Sequence, residues 1–251
     1  MNFFRERCSM IGEIMGNPRS KADKELGLLN QTAKTRVEEV FISSKFDREK
    51  DIDNKYMRKG IRCEDESIFL FKNIFGDLSL FKNEKFYEND FITGTPDLLT
   101  EEFVIDIKTS WDIFTFGKMI FKDKIPNDTY FYQLQGYMWL TGRKKAILAY
   151  CLTDDDEETI QTEVRRKYYN SNNIDLNSEE MSKIDDEIRK QKTFSDIDQY
   201  HRIKTFHIDY CEETIEKIKH KIKKCNEYYL MLNQKLKEQH ERNRRYVSTE
   251  I

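Results

Sequence analysis

From Phe103 to Ser110 the chain reads Phe-Val-Ile-Asp-Ile-Lys-Thr-Ser. Side chains two apart on a strand project to one face, so Asp106 and Lys108 point together while Ile107 turns into the core. Val104 and Ile105 before them mark a strand buried on both faces, as in a covered sheet. An acid and a lysine on such a strand are costly without partners. The pattern therefore requires an ion pair, exposure at the strand's end, or a site that uses both groups.

Asp97 lies nine residues upstream of Asp106, in Gly94-Thr95-Pro96-Asp97. The Gly and Pro bend or end a strand there, and a tight acidic turn through Glu101-Glu102 returns the chain beside it. Asp97 and Asp106 then converge. Two carboxylates at one point repel unless a cation joins them, and an all-oxygen donor set suits Mg²⁺, or Mn²⁺ in its place. Such an ion polarises a phosphate and activates water. Lys108 beside it is placed to stabilise the developing charge.

The rest of the chain supplies a framework. Residues 8 to 44 read as mostly helical, with a break at Asn17-Pro18-Arg19-Ser20. Residues 58 to 75 form another helix with Ile61, Ile68, Phe69, Phe71 and Phe75 on an apolar face. The block from Phe86 to Ser110 reads as two strands. Helices follow near 112 to 121 and 128 to 141, then a strand over 146 to 153, and a possible edge strand at 204 to 209. Ile215, Ile218, Ile222, Cys225, Tyr229, Leu232 and Leu236 form a heptad seam. That seam packs either on the chain's own sheet or on a second subunit, and the lysines and arginines around it form a solvated face or a DNA-facing one. The expected division is one catalytic domain: N-terminal helices (1–57), a catalytic core (58–153), a polar insertion of mobile helices and loops (154–205), and a strand with a long C-terminal helix (206–251).

Four further features bear on the site. Glu64, in Gly60-Ile61-Arg62-Cys63-Glu64, precedes the strands and reads either as a solvated glutamate or as a group reaching the metal centre. Gln133 and Tyr137, four apart on one helix face, flank Gly136. A glycine in mid-helix costs about 1 kcal/mol against Ala, so a close approach by a neighbouring strand or by DNA is expected there. Ser9 stands at a helix start among Arg5, Arg7 and Arg19, either as an ordinary cap or as a ligand for a terminal phosphate. Trp111, with Phe114, Phe116, Lys118, Lys122 and Lys124, reads as core with solvated lysines or as a stacking surface for a strand.

In order, SMIGEIMGNPRS, Gly60-x-x-x-Glu64, GTPD, DIK and QLQGYMWLTGRKKA resemble the phage lambda-type exonuclease family, the viral recombinase branch of the PD-(D/E)XK (RecB-like) nucleases, from about Ser9 to Thr153. The resemblance implies an α/β fold: a restriction-endonuclease-like core, with a central mixed sheet flanked by helices and a long C-terminal helix. It implies an exonuclease that degrades one strand of linear duplex DNA from 5′ to 3′ with Mg²⁺. The product would be a 3′ overhang for a single-strand annealing partner, and the enzyme a homo-oligomer, often a trimer. By motif match Asp97, Asp106 and the Ile107 carbonyl would hold the metal, and Lys108 would be the catalytic lysine. Glu64 would assist, Gln133 would orient the catalytic groups, and Ser9 would hold a 5′-phosphate. The chain departs from the family pattern at Leu98, where Gly is frequent, and at Asp106, where Glu is frequent. The arginine expected well before the serine is not evident.

Composition is compatible with this reading. Charged residues make up 35% of the 251 and the net charge is -3, so DNA contact has to come from local patches rather than global basicity. The five cysteines are scattered without a CxxC pair and read as free thiols. They do not offer the four ligands of an iron–sulfur nuclease, and the four histidines lack zinc spacing. With no signal-like or membrane-spanning run, a cytoplasmic protein of a bacterium or phage-infected cell is expected. An endonuclease, a RecB-like nuclease of opposite polarity and a catalytically inactive DNA-binding subunit share much of this pattern.

Overall fold

The computed structural model describes residues 3–51, 54–76, 80–170 and 178–249. In chain order these form β1 (Glu6–Arg7), a 3-10 turn (Cys8–Met10), α1 (Ile11–Met15), α2 (Lys21–Glu25), α3 (Gln31–Phe46), α4 (Lys55–Arg62), α5 (Glu64–Phe75), β2 (Tyr87–Glu88), β3 (Ile92–Gly94), β4 (Leu98–Leu99) and β5 (Phe103–Thr109). There follow α6 (Ile113–Ile120), α7 (Asp128–Thr141), β6 (Lys145–Cys151), α8 (Glu157–Asn170), α9 (Ser178–Lys192), a second 3-10 turn (Gln199–His201), β7 (Ile203–Asp209) and α10 (Glu212–Thr249).

The main sheet has the order β4-β5-β6-β7 and is mixed, with β5 and β6 parallel and both edge pairs antiparallel. The period of two is obeyed throughout β5. Val104 joins Leu134 and Met138 of α7 in one core, while Ile105 and Ile107 join Ile68 and Phe71 of α5 in the other. Helices thus cover both faces, and Asp106 and Lys108 share the face of Val104, towards α7. The α7 helix begins where Asn127 Oδ1 accepts the Thr129 N–H and ends at Gly142 with φ 75°, a left-handed terminus that glycine adopts without strain.

Several expectations need correction. The helix read over 58 to 75 is two helices. Cys63, between them, leaves helical torsions, and its thiol donates to the Asp154 carbonyl. The first of the two predicted strands also divides. Its earlier part forms β2 and β3, which pair antiparallel and build a separate three-stranded sheet with β1, and only β4 pairs with β5. Pro96 stands at the division with no N–H for a ladder. The heptad seam of α10 is buried from Ile215 to Tyr229, but against α1, α3 and α7 rather than the sheet. Phe41 meets Tyr229 edge-on at 5.2 Å. The α7 layer already covers that sheet face, so α10 forms the next layer.

The segment from 154 to 205 is mostly two paired helices, joined by Arg189–Glu157 and Lys167–Glu187 ion pairs. Residues 171–177, the centre of its polar stretch, lie outside the described residues. Its root is buried: Asp155 is ion-paired with Lys59 of α4 and, at 3.0 Å, with Lys192 of α9. Among the described residues no helix is long and apolar enough to cross a membrane.

Candidate active site

The division between β3 and β4 creates the site. β4 is only two residues long and pairs with Ile105 and Val104, so beyond Ile105 that side of β5 has no ladder partner. The Ile107 N–H on this open side donates instead to Asp97 Oδ2, at 2.7 Å. On a strand a residue's C=O projects to the same side as its N–H, so the Ile107 carbonyl also faces Asp97.

Asp106 is 1% exposed. Its Oδ1 accepts from Gln133 Nε2 at 3.0 Å, and the same amide donates to the Tyr137 hydroxyl at 3.1 Å. Its Oδ2 has Lys108 Nζ 2.7 Å away, yet accepts no hydrogen bond of acceptable geometry. Lys108 also sits 5.1 Å over the Tyr130 ring. The ion pair foreseen for Asp106 and Lys108 is therefore present, beside the convergence with Asp97.

Electrostatics record the crowding. Burial, reinforced by the Asp106 charge, pushes the Asp97 carboxyl up to about 7 against the opposing pull of Lys108 and the Ile107 N–H. Burial opposes the charge on Lys108, but Asp106 and Asp97 outweigh it and hold the ammonium above its ordinary range. Two carboxylates in mutual repulsion, one with a buried oxygen lacking a hydrogen bond, are the environment that a divalent cation relieves. Asp97, Asp106 and the Ile107 carbonyl are the oxygen donors that fit it. Among the described residues no cluster of three or more His, Cys, Asp or Glu stands in metal-holding geometry. Glu64 pairs with Lys82 at 3.0 Å, and its field raises the Asp97 carboxyl further.

The other predicted residues divide. Gln133 is brought to the site. Tyr137, read as a DNA contact or as part of a packed aromatic helix, is 5% exposed and accepts from Gln133, and burial pushes its hydroxyl up. The close approach at Gly136 is by side chains: a Cβ there would stand 2.8 Å from Cys8 Sγ and from Ile11 Cδ1, and 3.4 Å from Ile92 Cδ1 of β3. That approach seats the 3-10 turn carrying exposed Ser9 against α7. Arg5 is exposed and paired with Glu88 at 2.5 Å, and Arg19 is exposed beyond α1. Trp111 is half-buried, edge-on to Tyr56 at 4.9 Å and under the ammonium of Lys192 at 4.5 Å. Phe116 is core, whereas Phe114 is 79% exposed. The five cysteines are free thiols.

No family model and no curated protein matches the chain. Among solved structures, a phage-related exonuclease from Haemophilus somnus 129PT is 31% identical over 94% of this chain and 97% of that one, with TM-score 0.72. The chain belongs to the phage-related, lambda-type exonuclease family. An alkaline exonuclease, LHK-Exo from Laribacter hongkongensis, shares 12% identity over 95% of this chain and 94% of its own with TM-score 0.61, and its dAMP complex matches equally in coverage and TM-score at 13%. At that identity these two show the shared fold alone. The family resemblance and the mixed α/β fold read from the sequence are both borne out.

Sequence reasoning missed the neighbours that arrive from afar. Tyr130 was within reach, since it lies three residues before Gln133 on the same helix face. Lys82 and Asn83 carry no local pattern, and only the folded chain brings them to Asp97.

Proposed function

We propose that this exonuclease acts on linear double-stranded DNA with Mg²⁺, hydrolysing one strand from 5′ to 3′ and leaving a 3′ overhang for recombination by strand annealing. The observation that carries the reading is the meeting of two carboxylates in each other's field, Asp97 held by the Ile107 N–H and Asp106 paired with Lys108 on the same strand face. The family supports the exonuclease class. Asp97, Asp106 and the Ile107 carbonyl would hold the ion, which when bound supplies a Lewis acid and lowers the pKa of water. Lys108 neutralises charge developing on the attacked phosphate. Gln133 fixes the Asp106 carboxylate, and its second N–H is held by Tyr137, so the amide cannot swing away. Ser9 is exposed on a turn that is seated against α7, and it is the group proposed to take a 5′-phosphate. Duplex ends, a single-strand annealing protein and further copies of the chain are the proposed partners, in a cytoplasmic setting.

The test is digestion of linear duplex labelled at either end, with Mg²⁺, by wild type and by Lys108→Ala. Release from the 5′-ended strand is expected, abolished by chelator and reduced at least about 100-fold in the variant. Release from the 3′-ended strand would overturn the polarity, and cutting of closed circles the exonuclease mode. Folded wild type that binds DNA without cleaving it would leave a binding subunit.

A further inference from the structure

We infer that Asn83 is a positioning residue for the metal-ligating carboxylate of Asp97; this rests on the metal site proposed above. The turn from Gly94 to Leu98 passes from one sheet to the other, so its carbonyls lack ladder partners, and buried carbonyls left unmet are costly. Residues 80–86 lie across that turn. Leu80 packs in the core that contains Leu98, and at the far end Tyr87 and Glu88 pair with Gly94 and Thr93. Asn83 stands between these anchors. Its N–H donates to the Asp97 carbonyl at 2.7 Å, and its Nδ2 donates to the Pro96 carbonyl at 2.9 Å. The amide also donates to the Lys85 carbonyl at 3.1 Å and accepts the Lys85 N–H at 3.3 Å, which fixes its own orientation.

The consequence falls on Asp97. Its carboxylate is held from one side by the Ile107 N–H, and its backbone is held from the other by Asn83. The ring nitrogen of Pro96 cannot donate, so of that residue's own backbone groups only the carbonyl can be fixed. A rotation of the Pro96–Asp97 backbone would carry the carboxylate away from Asp106. Outer contacts that orient a ligand typically control metal affinity by about 10- to 100-fold. Asn83→Asp retains size and the bond from the Lys85 N–H but presents an acceptor to the Pro96 carbonyl. Asn83→Ala removes the side chain and leaves the backbone bond.

The experiment is Mn²⁺ binding to the DNA-free full chain, followed by the spectroscopic signal of the free ion, with thermal unfolding measured on the same samples. Asn83→Asp and Asn83→Ala are expected to weaken Mn²⁺ binding about tenfold or more, Asp at least as much as Ala. The control is Asn89→Ala. Asn89 accepts from the Phe91 and Ile92 N–H groups in the neighbouring turn and does not touch Asp97, so it should lower the unfolding temperature without weakening Mn²⁺. Wild-type affinity in both folded Asn83 variants would overturn the inference while leaving the metal site intact, as would equal weakening by Asn89→Ala. Failure of wild type to bind Mn²⁺ would instead defeat the metal site itself.

Discussion

Asp97 is where one residue's chemistry is most exposed to test. Its carboxyl sits at about 7 because burial and Asp106 both disfavour the charge. A carboxylate whose folded pKa lies above its unfolded value of about 4 stabilises the fold at low pH, and that contribution is lost as pH rises through the folded pKa. The metal-free protein should therefore lose stability through Asp97 between about pH 4 and pH 7. A bound cation needs the ionised form, so metal competes with the proton and its affinity climbs over the same window. Mg²⁺ is expected to raise the unfolding temperature more at about pH 8 than at about pH 6, and Asp97→Asn should remove that difference. Equal Mg²⁺ effects at both pH values in wild type would contradict the assignment.

Among the elements, α7 carries Gln133 to Asp106 and also seats the N-terminal turn, and both depend on one bare backbone position. A methyl at Gly136 would gain about 1 kcal/mol of helix propensity. It would also stand 2.8 Å from both Cys8 Sγ and Ile11 Cδ1, which are fully buried and have little room to retreat. Overpacking of that kind costs about 1–3 kcal/mol, so the clash should outweigh the propensity. Gly136→Ala is expected to lower the unfolding temperature by a few degrees and to weaken any dependence of cleavage on a 5′-phosphate through the displaced Ser9. A stabilised variant would show that the turn yields freely. The elements themselves were largely legible in the sequence. β5 obeys its period of two because both its faces are covered, and α7 runs between an Asn cap and a Gly terminus that can be read directly. The convergence of Asp97 and Asp106 was legible because one short hairpin produces it. Depth was not: the spacing of Gln133 and Tyr137 gives a shared helix face, but not which of the two ends behind the other. The partner of the α10 seam was equally hidden, since heptad spacing states that a seam is covered and not by what.

Across the whole molecule, the attachment of the 154–205 segment rests on a charge cluster that no local pattern announces. Asp155, with a side chain 0% exposed, stands between Lys59 at 3% and Lys192 at 15%. Lys59 also donates to the Trp111 carbonyl at 2.9 Å, so α4, the end of β6, α9 and the loop after β5 meet here. Two ammonium groups and one carboxylate leave one positive charge in excess, partly offset by the faces of Trp111 and Phe194 below them. Replacing such a cluster by apolar residues can be neutral, whereas removing one partner strands the others and costs about 3–5 kcal/mol. Asp155→Ala strands both lysines and should cost at least that much, read as a lower urea midpoint. It should also speed proteolysis within α8 and α9, if the cluster is what fastens them to the core. Asp155→Ala combined with Lys59→Met and Lys192→Met removes the stranded charges and is expected to recover much of the loss. A single variant as stable as wild type would show that the packing of Ile160, Val164 and Phe194 holds the segment by itself.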